Sequence, residues 1–327
     1  MEKISLEEKL KWSLDTKLFH FFTVLEVFYN EMNGKVYIGF SGGKDSTVLV
    51  WLCDWFCEQM GWDKFPLVFN NTTNEYAEIL EFVKSYGDRV IWLKPKMTFA
   101  QSLVKNGFPL ISKEQAQRIS EAKNTKSDYL RSLRMNGVER ISKNTGKKYN
   151  SGKISEKWKH LVKSDIQLTS KCCDILKKAP VYKFEKETGL KAIIGTTTGE
   201  SNLRKQQYLK SGGCNDFNPK RPKSKPLSIF TKDDIWNLIE KHNIEICSIY
   251  YDQIINGEIV KGEERTGCEF CGFGVQFEDS NNTKFHRSQK RNPKRSESFM
   301  DKLGYREALR FIGIDVPSVE DVKTNEN

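Results

Sequence analysis

The sequence predicts an α/β fold: a parallel sheet with helices on both faces, a helical insertion and a small C-terminal region. Three observations predict it. Four short apolar runs, Val36-Tyr37-Ile38-Gly39-Phe40, Pro66-Leu67-Val68-Phe69, Val90-Ile91-Trp92-Leu93 and Ala192-Ile193-Ile194-Gly195, have the length of buried strands. The segments between them carry helical spacing, the alternation of crossover units. The chain has 327 residues, 38% hydrophobic and 12% aromatic, enough for a substantial core and against general disorder.

The elements follow in order. Leu6, Leu10, Leu14, Leu18, Phe21, Phe22, Leu25 and Phe28 recur at helical spacing, so residues 1–33 read as one N-terminal helix. Residues 34–260 read as the α/β domain. In it a buried helix runs from Thr47 to Met60, another spans Ala77 to Tyr86, and a third starts at a Thr231 cap. Residues 111–170 hold ten Lys and four Arg against four Glu and two Asp, which marks a basic helical insertion. Asn144-Thr145-Gly146-Lys147-Lys148 and Asn150-Ser151-Gly152 read as its exposed turns. Residues 261–327 comprise a Cys-x-x-Cys segment, a basic stretch from Lys284 to Arg295 and a last helix from Met300 to Ile312.

Composition also bounds the function. No apolar run approaches the roughly 18 residues of a membrane helix, and the N-terminus does not read as a signal peptide. A cytoplasmic protein with no membrane partner is expected. Net charge is +10, a bias toward anionic partners that selects no particular one.

Ser41-Gly42-Gly43-Lys44-Asp45-Ser46-Thr47 lies between a strand and a helix. Two glycines let the backbone turn and expose N–H groups. The helix start adds partial positive charge, Lys44 a full one, and Ser41 and Ser46 add hydroxyls, which together suit phosphate. A Walker A loop is excluded, because Lys44 is followed by Asp45 and Gly39 stands one residue too close. The bland alternative is a glycine-rich turn without a ligand.

Eight cysteines in a reducing compartment point to metal or redox chemistry rather than disulfides. Cys53 and Cys57, four apart on an aromatic-rich helix, and Cys247 among isoleucines read as core. Cys214 reads as part of a flexible polar loop. Cys172-Cys173 and Cys268-Glu269-Phe270-Cys271 remain, and four thiolates suit a [4Fe-4S] cluster. Adjacent cysteines are awkward for structural zinc, although zinc and plain buried thiols stay open.

After an apolar strand, the string SGGKDS resembles the PP-loop of ATP pyrophosphatases, which split ATP into AMP and pyrophosphate. Lys171-Cys172-Cys173-Asp174 through Pro180 resembles the paired-cysteine segment of sulfonucleotide (PAPS/APS) reductases. Gly195 through Glu200-Ser201-Asn202-Leu203-Arg204 is similar to their Gly-…-Glu-Ser-x-x-Arg loop. Lys225-Pro226-Leu227 followed by Asp233-Asp234-Ile235-Trp236 resembles a third of their segments. The resemblance runs in order over residues 35 to 275 and implies an adenine nucleotide alpha hydrolase-like fold.

The resemblance also implies roles. Ser41, Gly42, Gly43, Lys44, Asp45, Ser46, Gly195, Glu200 and Arg204 would bind the nucleotide, ATP or a sulfonucleotide. Lys44, Asp45 and Arg204 would be catalytic, with Asp45 toward Mg²⁺ and Glu200 orienting Arg204. Cys172, Cys173, Cys268 and Cys271 would hold the [4Fe-4S] cluster, its charge offset by Lys171 and Lys177.

Two departures matter. No cysteine follows Cys271, where the reductases keep their nucleophile, and Asn70-Asn71-Thr72-Thr73-Asn74 stands where they read Asp-Thr-Gly. A cluster-bearing chain without that tail resembles the sulfurtransferases of DNA phosphorothioation and tRNA thiolation. The expected function is therefore AMP- and pyrophosphate-forming sulfur transfer to nucleic acid, supplied by a sulfur donor such as a cysteine desulfurase. The basic insertion and tail would meet the phosphate backbone. The alternatives are a sulfonucleotide reductase using Cys214 and a non-catalytic nucleotide-binding subunit of a nucleoprotein complex.

Overall fold

The computed structural model describes residues 4–142 and 146–318. Two helices open the chain, α1 (Leu6–Leu10) and α2 (Leu14–Glu31), where the spacing predicts one. The break comes at Ser13, whose side chain caps α2 by accepting the Thr16 N–H. Then follow β1 (Val36–Gly39), α3 (Lys44–Met60), β2 (Leu67–Asn70), α4 (Ala77–Lys84) and β3 (Val90–Leu93). After the insertion the sheet resumes with α8 (Ala179–Thr188), β7 (Lys191–Ile194), α9 (Asn202–Ser211), β8 (Asn215–Asp216), β9 (Lys223–Ser224) and α10 (Lys232–Lys241).

The strand order is β3-β2-β1-β7-β9-β8, parallel throughout except for β8 against β9. Side chains alternate between its faces as the pleat requires. Val36, Ile38, Leu67, Phe69 and Ile193 pack under α2, α3, α4 and α10, while Tyr37, Val68 and Ala192 meet Phe184 of α8. The predicted parallel sheet with helices on both faces is therefore the observed one. β1 is flanked by β2 on one side and β7 on the other, so the chain order reverses there. In open α/β sheets ligands bind at the carboxyl ends of strands at such a switch point.

The insertion does more than cover the sheet. It consists of α5 (Phe99–Asn106), β4 (Leu110–Ile111), α6 (Lys113–Asn124), α7 (Asp128–Asn136) and a hairpin of β5 (Val138–Ile141) with β6 (Lys148–Ser151). The hairpin corrects the helical expectation; its predicted turn residues Asn144 and Thr145 lie outside the described residues, and Asn150 and Ser151 are strand. These elements share a second apolar core with the C-terminal region, from Phe99 and Leu110 through Trp158 to Phe270, Phe285, Tyr305 and Val316.

Beyond α10 the chain forms a ribbon of β10 (Gln253–Ile255) and β11 (Glu258–Val260). Next come β12 (Gly272–Phe273), α11 (Lys284–Arg291), α12 (Pro293–Glu297) and α13 (Tyr305–Arg310). β12 pairs in parallel with β4, joining the tail to the insertion. The expected helix from Met300 to Ile312 is broken by Gly304 at φ 70°, with a π turn Ser298–Lys302 before it.

Candidate functional site

The loop after β1 sits at the switch point. Gly42 turns the chain at φ 69°, and Gly43 is the N-cap of α3. The hydroxyls of Ser41 and Ser46 lie 3.0 Å apart, and Ser46 donates to the Gly43 carbonyl at 2.8 Å. Lys44 is buried with its ammonium 3.2 Å from the Asp45 carboxylate. Gly195, at the end of β7, lies against this turn: a Cβ on it would stand 2.9 Å from the Asp45 carbonyl oxygen. Two of the predicted segments thus meet at one place.

The third element is the turn Thr198–Glu200 before α9. Thr197 and Glu200 form a reciprocal cap, and Glu200 Oε2 lies 3.7 Å from Arg204 Nε. Arg204, half-exposed at the start of α9, thus lies beside the Glu200 carboxylate.

Sequence reasoning missed Tyr250 and Thr266. Tyr250 Oη accepts the Lys44 N–H at 3.0 Å and lies 2.7 Å from Thr266 Oγ1. The Lys44 ammonium stands 5.4 Å from the centre of the Tyr250 ring. Burial pushes the Tyr250 phenol up to about 12, so it acts as a neutral hydroxyl. No spacing rule connects Lys44 with Tyr250, 206 positions apart, so no sequence signal announces this contact.

The four cysteines Cys172, Cys173, Cys268 and Cys271 line one cavity of about 910 Å³ with Lys113, Lys177, Lys284, Thr266 and others. The adjacent thiols shift in opposite directions: Cys172 lowers Cys173 and is itself raised, with Lys113 and Lys177 further lowering Cys173. Lys177 is raised chiefly by the facing cysteines, Cys268 first. Of the two lysines expected to offset charge, Lys177 lines the cavity and exposed Lys171 does not; Lys113 and Lys284 take that place. Among the described residues, no group of three or more His, Cys, Asp or Glu is arranged to hold a metal ion.

The end of β2 and the loop after it fix both cysteine segments. Asn70 Nδ2 donates to the Leu176 carbonyl at 2.7 Å, inside the π turn Asp174–Lys178 that follows Cys173. The Asn74 carbonyl accepts the Glu269 N–H at 2.7 Å and Asn74 Oδ1 accepts the Phe270 N–H at 3.0 Å. Thr72 Oγ1 lies 3.8 Å from Cys268 Sγ. The segment that departs from the reductase pattern thus holds the Cys-x-x-Cys turn.

Two expectations are corrected. Cys214 is not on an open polar loop: it is 4% exposed in the main core, near His20, and burial pushes its thiol up to about 11. That disfavours the thiolate a nucleophile needs. Cys53, Cys57 and Cys247 are buried and raised as well. The basic tail faces inward to a large extent. Arg287 and Arg291 both pair with buried Glu263, and Arg295 lies 2.9 Å from Glu269 without the alignment of a hydrogen bond. Lys290 pairs with Glu258.

No helix among the described residues is long and apolar enough to cross a membrane. Residues 97–272, more than half of the chain, match the model of the phosphoadenosine phosphosulfate reductase domain. The matched stretch includes Cys172, Cys173, Cys268, Cys271, Gly195, Glu200 and Arg204, and begins after the phosphate loop. Among solved structures, the phosphoadenylyl-sulfate (PAPS) reductase from Candida auris in its phosphate complex is 12% identical. It matches with TM-score 0.38 over 76% of this chain and 92% of its own. The U34-tRNA thiolase NcsA from Methanococcus maripaludis with its [4Fe-4S] cluster is 14% identical, with TM-score 0.35 over 83% of this chain and 70% of its own. No curated protein matches.

Proposed function

The chain belongs to the phosphoadenosine phosphosulfate reductase domain family, and on that premise we propose that it is an ATP-dependent, AMP- and pyrophosphate-forming sulfurtransferase acting on nucleic acid. One observation carries the reading. Thr266 stands 2.6 Å from where a Cβ of Gly43 would be, and it also lines the cavity of the four cysteines. A nucleotide at the loop and a sulfur at the cysteines would be neighbours.

The residues take roles accordingly. Lys44, the turn's amides and the hydroxyls of Ser41 and Ser46 hold the phosphates, and Asp45 would supply a carboxylate to Mg²⁺. Arg204, oriented by Glu200, neutralises charge as the acceptor oxygen bonds to the α-phosphorus and the bond to pyrophosphate breaks. Sulfur then bonds to the acceptor as AMP leaves. Cys172, Cys173, Cys268 and Cys271 would hold a [4Fe-4S] cluster, whose chemistry is an iron site for sulfide. The donor set supports it: four thiols line one cavity with Lys113, Lys177, Lys261 and Lys284, cations that suit an anionic cluster.

The sulfonucleotide reductase alternative needs a thiol that attacks sulfur, and the buried Cys214 is poorly suited to supply it. The deciding experiment incubates anaerobically purified protein with labelled ATP, then with adenylylsulfate and a thiol. AMP with pyrophosphate supports sulfur transfer. Sulfite release overturns it in favour of reduction, and no turnover at all favours a binding subunit.

A further inference from the structure

The phosphate loop reaches the cysteine cavity through two hydroxyls. Tyr250 Oη holds the Lys44 N–H at 3.0 Å, and Thr266 Oγ1 stands 2.7 Å from Tyr250 Oη. Both crowd Gly43, where a Cβ would lie 3.0 Å from Tyr250 Oη and 2.6 Å from Thr266 Oγ1. An amide in the first turn of a long helix is the donor that phosphate oxygens take at helix N-termini. A tyrosine hydroxyl, an acceptor of similar reach, holds it here.

We infer that Tyr250 and Thr266 belong to the phosphate site: a nucleotide phosphate that takes the Lys44 N–H displaces the Tyr250 hydroxyl and shifts the segment 264–267 beside Cys268. The inference rests on the reading of the loop as a nucleotide site, and it names the residues that carry occupancy to the cysteines.

The connection is mechanical. Gly262 packs on the Tyr250 backbone so closely that a Cβ there would stand 2.3 Å from the Tyr250 carbonyl oxygen. The Glu263 N–H donates to the Ile249 carbonyl at 2.8 Å, which ties the two stretches together. Glu263 is anchored by Arg287 and Arg291, and beyond Cys268 the Glu269 N–H is anchored on Asn74. Between these anchors, residues 264–267 are exposed or half-exposed. Their side chains reach the nucleotide side twice, through Thr266 and through Arg265 Nη1 donating to the Glu200 carbonyl at 3.2 Å. The segment therefore has fixed ends, little to unpack and its middle on the phosphate loop, the form of a movable link.

The test uses the full chain with α,β-methylene-ATP and Mg²⁺, binding read by calorimetry and backbone opening by hydrogen exchange. The wild type should bind the analogue and exchange roughly fivefold faster across residues 248–268, the size of one net hydrogen bond. Tyr250→Phe, and the shape-matched Thr266→Val, should exchange at the faster rate already and respond no further. Binding with unchanged exchange in the wild type overturns the inference, as does a wild-type response in both variants. Absence of binding overturns the nucleotide-site reading itself and this inference with it, and the calorimetry tells the two failures apart.

Discussion

Gly195 has no room for a methyl group: its Cβ would stand 2.9 Å from the Asp45 carbonyl oxygen and 3.1 Å from the Ser46 Cα, both backbone atoms. Backbone cannot swing aside as a side-chain tip can, so Gly195→Ala should push β7 from the start of α3. We expect a loss of about 1–3 kcal/mol in denaturant unfolding, with weakened ATP binding. A variant as stable as the wild type would show that the two segments are not in contact. Lys44 poses a different case, a buried charge whose ammonium meets the Asp45 carboxylate and the Tyr250 ring rather than the apolar core. Lys44→Ala should keep the far-UV spectrum and melting temperature while AMP formation falls by roughly 10²-fold. Wild-type turnover in that variant would remove the loop from the site. At Cys214 the expectation is indifference: Cys214→Ser should leave AMP formation unchanged, because a thiol at about 11 within the core supplies little thiolate. Loss of activity with retained stability would reopen the reductase alternative.

At the scale of elements, the loop after β2 shows how one short segment sets a site it does not belong to. Asn74 Oδ1 is the acceptor for the buried Phe270 N–H inside the Cys-x-x-Cys turn. Asn74→Ala removes that acceptor and should cost about 1–3 kcal/mol. If the cysteines hold the proposed cluster, iron content per chain should fall along with it, while ATP binding at the phosphate loop persists. Full iron in Asn74→Ala would mean the turn holds its shape unaided. The same loop marks the boundary of what a sequence discloses. The four strands and the cap at Thr231 were legible because apolar runs and capping chemistry are local; the structure adds Asp234 as the other half of a capping box. The role of Asn70 and Asn74 was not, since their partners lie 106 and 196 residues away. Lys17 makes the same point. It is 2% exposed and bound to Asp234 at 2.6 Å, a partner 217 residues away. Motifs announce the phosphate loop and the cysteines; contacts across the fold announce Tyr250, Thr266, Lys113 and Lys284.

On the scale of the whole molecule, a net charge of +10 divides into two kinds of cation. Arg287 and Arg291 share Glu263, whose side chain is 4% exposed, and each side chain is itself largely shielded. Removing Arg291 leaves Glu263 with Arg287 as its partner but takes away one buried charged hydrogen bond, so Arg291→Gln should cost about 1–3 kcal/mol. Its effect on nucleic-acid binding would be a consequence of lost folding. The insertion offers the other kind. Lys126, Arg140 and Lys163 are exposed on a lobe with its own apolar core, so charge can change there without disturbing the sheet. If nucleic acid is the acceptor, Lys126→Glu, Arg140→Glu and Lys163→Glu should each leave unfolding within about 0.5 kcal/mol of wild type. Together they should flatten the plot of log K against log salt by about 0.9 per lost contact on duplex DNA, and about 0.7 on single strands. Binding to a short oligonucleotide, measured by anisotropy across a salt series, reads the slope directly. An unchanged slope with intact folding would reduce the insertion to a solvated lysine-rich face and turn the search for the acceptor toward small molecules.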